Sequence, residues 1–285
     1  MSSSSYIMTK TNANEIITRE VLIDILQEKI SDDLFWEKWC TSENDPSIVS
    51  ASKQLAENFL LDEAHLDRLL VARRYQMQPT VDLFLEQIAF QVKYQPSQIC
   101  PTSIANALPS GAWRLCGYTK DGYVISNYKL EFWNPDTYGD SSHMEGAVAE
   151  YTRYVCYMIE LMIASMRPPH DKFVVIFDLK GFYLSMVTKS NVRQMIKKLI
   201  YVAQAQYPER LLKVYLVNAP YGFQTAWSLI RPLLDSKTSS KISFVSQESL
   251  LEDIDRSVLS KVYGGNHEEY PVPSKTIELE AYKME

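Results

Sequence analysis

Glycine is scarce in this sequence, 9 of 285 residues against a typical share of about 7%. Nothing has the spacing of a Walker A loop or a G-x-G-x-x-G turn, which argues against phosphate cradling by a glycine-rich loop. Positive charge is also short. Lys and Arg number 29 against 35 Asp and Glu, a formal net charge of −6, whereas a general nucleic-acid binder needs a dominant basic surface. Any anion site must therefore be local. The four cysteines, Cys40, Cys100, Cys116 and Cys156, form no C-x-x-C pair and have no histidine at ligand spacing. They read as reduced, mostly buried thiols, and no metal or cofactor is expected. The longest apolar stretch, Val155 to Met166, is broken by Glu160 and falls short of the roughly 18–20 residues that span a bilayer. The opening residues, Met1 to Tyr6, lack a cationic segment leading into an apolar one, and the chain has no N-x-S/T sequon. A cytoplasmic address is the expectation.

What is present suits a folded protein: 46% hydrophobic and 22% charged residues. Aromatics reach 12%, with 18 tyrosines and 10 methionines, a surplus that hints at a lined pocket. Residues 1–14 are polar and read as a disordered tail. Residues 15–96 carry helical periodicity throughout: Ile17, Val21, Ile25 and Leu26 on one face; Ile48, Leu55 and Phe59 after the Asn44-Asp45-Pro46 breaker; Leu66, Leu69 and Leu70 behind an Asp62 cap; and Val81, Leu85, Ile88 and Val92 after Pro79. Breakers at Pro96, Pro101, Pro109 and Gly111 mark a linker and domain boundary.

The second domain, 97–270, begins with an Asp121-Gly122 turn into a strand at Tyr123–Ile125, then a loop to Ser142 and a long helix stopped by Pro168-Pro169. Phe173–Phe177 is a continuous apolar run ending at Asp178, the pattern of a strand buried on both faces. A helix over about 191–206, a strand Val214–Val217, a helix over about 223–234 and a strand Ile242–Val245 follow. Such alternation predicts parallel strands with right-handed crossovers. A last helix is expected over Leu250–Leu259, with a glycine stop at Gly264-Gly265, and 271–285 reads as a C-terminal tail.

No catalytic constellation emerges from the histidines His65, His143, His170 and His267, none of which sits in a recognised catalytic motif. Asp178, at the carboxyl end of a buried strand, stands where open α/β sheets often place function. Its simpler reading is a carboxylate bonded to the backbone of the Asp178–Gly181 turn. Glu209-Arg210 precedes one strand and Thr238 to Lys241 precedes the next, so in a parallel sheet both lie at the amino-terminal edge. Together they offer cations, a carboxylate and hydroxyls to a sugar-like phosphate, or else they are solvated loop charges. Arg73-Arg74, ending a helix, could equally serve the helix dipole.

At these residues the sequence resembles the CRAL-TRIO lipid-binding family, in its fungal-type phosphatidylinositol transfer branch. The blocks are Arg68 to Tyr75, Phe177-Asp-Leu-Lys-Gly181, Tyr207-Pro-Glu-Arg210 with Val217 to Phe223, Pro232 to Asp235 with Thr238 to Ile242, and Tyr263-Gly-Gly265. They run in family order over about 60–270. The resemblance implies a helical N-terminal tripod followed by an α/β domain whose mostly parallel sheet floors a lipid cavity, closed by a gate helix at about 223–234. It implies a non-enzymatic carrier that takes phosphatidylinositol, works transiently at membrane surfaces, and exchanges the lipid or presents it to lipid kinases. Carried over residue by residue, the inositol-phosphate contacts are Arg73, Arg74, Glu209, Asp235, Thr238 and Lys241. Phe173, Val175, Phe223, Trp227 and Ile230 fall to the cavity or gate. In members that also carry phosphatidylcholine, two small hydroxyl residues hold its phosphate where this chain has Phe173 and Val175, neither a side-chain donor. Phosphatidylcholine is therefore doubtful as a second ligand, and a sterol fits the aromatic and Met surplus. Two alternatives stand beside this reading: a carrier of a sterol or other isoprenoid hydrophobe, and an enzyme centred on Asp178 with His143 or His170.

Overall fold

Thr18 opens the first helix of the computed structural model, which describes residues 15–39, 46–138, 144–268 and 270–271. The chain divides into two units, Met1–Gln95 and Pro96–Glu285. The first is built from α1 (Arg19–Ser31), α2 (Asp33–Trp39), α3 (Pro46–Leu60), α4 (Glu63–Ala72) and α5 (Met77–Tyr94). In α1 the buried face is Leu22, Leu26 and Ile30, while Val21 is exposed. The expected face ran through Ile17 and Val21. Ile17 lies outside the helix, its N–H bonded to Tyr75 O at 2.9 Å, so a face counted from it is turned by one residue, about 100°. Asp62 caps α4 as expected, accepting from His65 N at 2.8 Å, and Leu66, Leu69 and Leu70 are buried. The helix ends through Arg74 and Tyr75 at φ 54° and 61°, left-handed values that two large side chains seldom share.

In the second unit the proline-rich stretch expected to be a linker is packed. It forms 3-10 turns at Pro96–Gln98, Pro101–Ile104 and Leu108–Ser110, tied down by buried Glu150, which accepts from Asn106 N, Asn106 Nδ2 and Ala107 N at 2.8–3.0 Å. The five-stranded sheet follows chain order: β1 (Trp113–Tyr118), β2 (Val124–Lys129), β3 (Phe173–Asp178), β4 (Leu211–Val217) and β5 (Ile242–Phe244). The β1–β2 pair is antiparallel and the other three pairs are parallel. A bulge between Leu115 and Gly117 shifts the β1 register.

The helices between strands are α6 (Met144–Ala164), α7 (Ser190–Tyr201), α8 (Phe223–Ile230) and α9 (Ser236–Ser240), with α10 (Leu250–Asp253) after the sheet. Past Tyr201 the helix expected to reach 206 widens into a π turn, Val202–Gln206. Helix α8 stops at Ile230, and Arg231–Leu233 tightens to 3-10 geometry around Pro232, which has no N–H to donate. The helix expected over Leu250–Leu259 stops at Asp253. Its last carbonyls are taken by Lys120: Nζ bonds Leu251 O and Glu252 O at 2.7 and 3.0 Å, and N bonds Asp253 O at 2.9 Å. Gly264, at φ 84°, is left-handed as expected but closes a separate 3-10 turn, Lys261–Tyr263, rather than that helix.

Alternation along the strands gives the sheet two different faces. One face packs Ile125, Val174, Ile176, Tyr215 and Val217 against Leu250, Ile254, Leu259, Tyr263 and Tyr270 of the C-terminal segment. The other looks into a cavity.

Candidate functional site

Residues of opposite parity floor that cavity: Trp113 and Tyr128, then Phe173, Val175 and Phe177, then Val214 and Leu216, and Ile242 on β5. Tyr151 and Ile159 of α6 and Val192, Ile196 and Leu199 of α7 form the walls. Phe223, Trp227 and Ile230, spaced at four and three on α8, cover it from the remaining side. Ring contacts brace this cover, with Phe182 against Phe223 at 5.0 Å and Trp227 against Phe244 at 5.6 Å between centroids. All five cavity or gate residues named from sequence, Phe173, Val175, Phe223, Trp227 and Ile230, line the space. Gln204 of the π turn and Thr238 are the polar residues facing it near the amino-terminal sheet edge.

At that edge four of the six sequence candidates meet. Glu209, held at φ 63°, places Oε2 at 2.7 Å from Lys237 Nζ and 3.8 Å from Lys241 Nζ. Lys241 O accepts from Val214 N at 2.9 Å, which ties it to the sheet. Asp235 caps α9: Oδ1 accepts from Thr238 N and Oδ2 from Thr238 Oγ1, both at 2.7 Å, and Gln204 Nε2 donates to the same Oδ2. Burial works against the Asp235 charge, but the Thr238 bonds outweigh it and hold the carboxyl below its usual range. For Lys241, burial and then the ammonium groups of Lys237 and Lys172 pull its pKa down, against the opposing pull of Glu209. The cluster thus crowds cations around a half-buried lysine. Arg73 and Arg74 belong to the first unit, where Arg73 is the C-cap of α4.

Asp178 lies at the opposite, carboxyl, edge, and its oxygens are taken up. Oδ1 accepts from Lys180 N at 2.9 Å and Asn218 Nδ2 at 2.8 Å, and Oδ2 accepts from Tyr263 OH at 2.7 Å. The turn reading of this carboxylate holds, and a polar hollow beside it is lined by Glu131, Lys180, Asn218 and Gln247. His170 packs on the Tyr123 ring at 4.4 Å; His143 lies outside the described residues.

The aromatic end of the cavity was not identified from sequence. Trp113, Tyr128, Trp133 and Tyr151 line it, and the one available signal was the aromatic surplus. Strand β1, which presents Trp113, is interrupted by Arg114 and Gly117 and carries no clear two-residue period.

Comparison with known proteins agrees with this architecture. Residues 108–265 match the CRAL/TRIO domain. Over 128 residues the chain is 34% identical to the SEC14 cytosolic factor of Kluyveromyces lactis, covering 44% of this chain and 42% of that protein. It is 38% identical over 147 residues to the phosphatidylinositol/phosphatidylcholine transfer protein SFH7 of Arabidopsis thaliana, covering 50% of this chain and 26% of that one. The human alpha-tocopherol transfer protein-like is 25% identical over 210 residues, 72% of this chain and 59% of its own. The match thus spans less than half the length of the first two relatives. The crystal structure of Sfh5 superposes with a TM-score of 0.61 at 15% identity, covering 96% of this chain and 97% of the other, a likeness of fold.

Proposed function

Because the chain belongs to the CRAL/TRIO domain family, we propose that its cavity carries phosphatidylinositol, tails inside and head group at the Glu209–Lys241 edge. It would exchange the lipid between membranes or present it to lipid kinases. The observation that carries this reading is the meeting of an apolar cavity with a cationic cluster at Thr238 and Gln204. Lysine ammonium groups suit the phosphodiester, while Glu209, Asp235 and Thr238 suit ring hydroxyls. Arg73 and Arg74 join the head-group set on sequence match alone.

Two acyl tails hold about thirty methylenes at ~0.8 kcal/mol each, so release into water is prohibitive and exchange belongs at a membrane. Helix α8 has the form of a gate. Its inner side lines the cavity, while Leu229 is exposed, as are Leu233 in the following 3-10 turn and, fully, Tyr221 in the preceding turn. Gly222 at φ 89° and Pro232 flank it. No helix among the described residues is long and apolar enough to cross a membrane.

The test is transfer of labelled phosphatidylinositol between vesicles. Loss of transfer in Lys241→Ala and Glu209→Lys supports the assignment, and wild-type rates in both reject it. The aromatic end favours a second, neutral hydrophobe in the same cavity.

A further inference from the structure

From Gly181 to Pro208 the chain carries four cations, Lys189, Arg193, Lys197 and Lys198, and no Asp or Glu. The whole chain is at −6, so this stretch runs against the overall sign. Helix α7 gathers three of the four. Its inner side is Val192, Met195, Ile196 and Leu199; Val192 and Met195 are fully buried, and Val192, Ile196 and Leu199 line the cavity. At about 100° per residue, Arg193, Lys197 and Lys198 fall on the opposite arc, and Arg193 and Lys197 are exposed. Lys189, just before the helix, is paired with Asp136 Oδ2 at 2.7 Å. The three on α7 have no carboxylate partner among the described residues. Arg193 Nη1 donates to Thr188 O, and Lys198 Nζ lies 5.2 Å from the Tyr201 ring centroid. Lys197 makes neither hydrogen bond nor ion pair among the described residues.

The turn leading into α7 adds apolar surface. Tyr183 and Leu184 are 52% and 48% exposed, while Phe182 beside them packs on Phe223, the first residue of α8, at 5.0 Å between centroids. The cationic helix is thus joined in sequence to apolar side chains that stand beside the start of the cavity cover. A partner for this surface must be anionic and must also take apolar groups at its edge. A bilayer containing acidic lipids does both, with charge at its surface and acyl chains a few ångströms deeper. A phosphodiester backbone meets only the charge.

We propose that the outer face of α7, with Tyr183 and Leu184, docks the protein on bilayers that contain acidic phospholipids, and so selects the membrane at which the cavity opens. The proposal rests on reading the cavity as a lipid site. It is separate from the head-group cluster, because these acidic lipids act from the membrane surface and are not the cargo. Attraction between clustered cations and a charged surface falls away within a Debye length. The cations therefore govern choice and approach, and the two apolar side chains fix the depth. The rest of the chain carries the excess of carboxylates and is repelled by the same surface. Repulsion and attraction together turn α7 and the start of α8 towards the bilayer.

Co-sedimentation of the full chain with two kinds of vesicle tests this, phosphatidylcholine alone and phosphatidylcholine with about 30% phosphatidylserine, neither containing phosphatidylinositol. Wild-type protein is expected to bind the acidic vesicles at least about tenfold more tightly, and the preference should fade as salt rises from about 0.05 M to about 0.5 M. Lys197→Gln with Lys198→Gln should weaken binding to the acidic vesicles roughly 25-fold, about fivefold for each cation, and leave binding to phosphatidylcholine in place. Tyr183→Ser with Leu184→Ser should weaken binding to both. Lys29→Gln with Lys93→Gln removes the same charge from α1 and α5 and should change little. Equal affinity of the wild type for the two vesicles, which needs no variant, overturns the proposal. So does wild-type binding by the folded α7 variant, an equal loss in the α1 and α5 control, or retention on RNA with none on the acidic vesicles. Phosphatidylinositol transfer measured in parallel scores the cargo separately. A protein that moves phosphatidylinositol yet ignores acidic lipid keeps the carrier reading and loses this inference; one that docks selectively but moves none does the reverse.

Discussion

Glu209 Oε2 stands 3.8 Å from the Lys241 ammonium, beyond hydrogen-bond reach, because Lys237 holds the same oxygen at 2.7 Å. Lys241 is left half-buried with an unmet demand for an anion, which a lipid phosphate would meet. Lys241→Ala should lower phosphatidylinositol transfer by about tenfold or more, in line with the loss of a charge-assisted bond. Glu209→Gly keeps the turn, since glycine suits φ 63°, while it removes the carboxylate beside Lys237 and Lys241; the variant should fold and transfer should fall. Unchanged transfer would remove the carboxylate from the head-group set.

Asp235 links the cluster to the stability of α9. Asp235→Ala removes the cap and should cost about 1 kcal/mol, whereas Asp235→Asn keeps a capping oxygen and loses the charge. Thr238 holds the folded carboxyl below its ordinary pKa despite its burial. Its contribution is therefore complete above the unfolded value near ~3.9 and is lost as pH falls through the folded one. Denaturant unfolding from about pH 6 to about pH 3 should show a shallower acid decline for the Asn variant than for wild type.

Asp178 is expected to matter for folding, since Tyr263 OH, Asn218 and the Lys180 backbone consume its acceptors. Tyr263→Phe leaves a buried carboxylate oxygen one donor short and should destabilise the protein by about 1.5–3 kcal/mol, read as a lower urea midpoint. A turnover measured for any reaction and abolished specifically by a folded Asp178→Asn variant would contradict this structural role.

The exposed side of α8 can be tested without touching the cavity. Replacing Leu229 by Asp should leave the unfolding midpoint near wild type, because its side chain is 62% exposed. Co-sedimentation with phospholipid vesicles should fall at least about tenfold, since burying one leucine contributes about 1.5–3 kcal/mol. Equal vesicle binding by the variant would move the membrane contact elsewhere.

Sequence patterns disclosed the elements whose determinants are local or strongly periodic. The apolar run Phe173–Phe177 and the Asp62 cap are set by residues within a turn of each other, and both are found. The misplaced features answer to distant partners. Lys120 ends the helix at Asp253 from more than a hundred residues away, and Ile17 is drawn out of the first helix by Tyr75 O. Position was legible for Glu209 and Lys241 because strand polarity alone puts the starts of β4 and β5 at one edge. The aromatic end of the cavity was not, since it is assembled from β1, β2, α6 and the loop bearing Trp133, and no short window contains it.

The bulge in β1 has a consequence for inheritance. Gly117 follows it at φ 121°, and a Cβ there would lie 2.9 Å from Val258 Cγ1. Valine is stiff and cannot swing aside, so a single methyl group would press the C-terminal segment away from the sheet. In a chain with nine glycines, this position is closed to drift. Neither a side chain nor a ligand contact guards it, only the space that its absent side chain leaves for a residue 141 positions later.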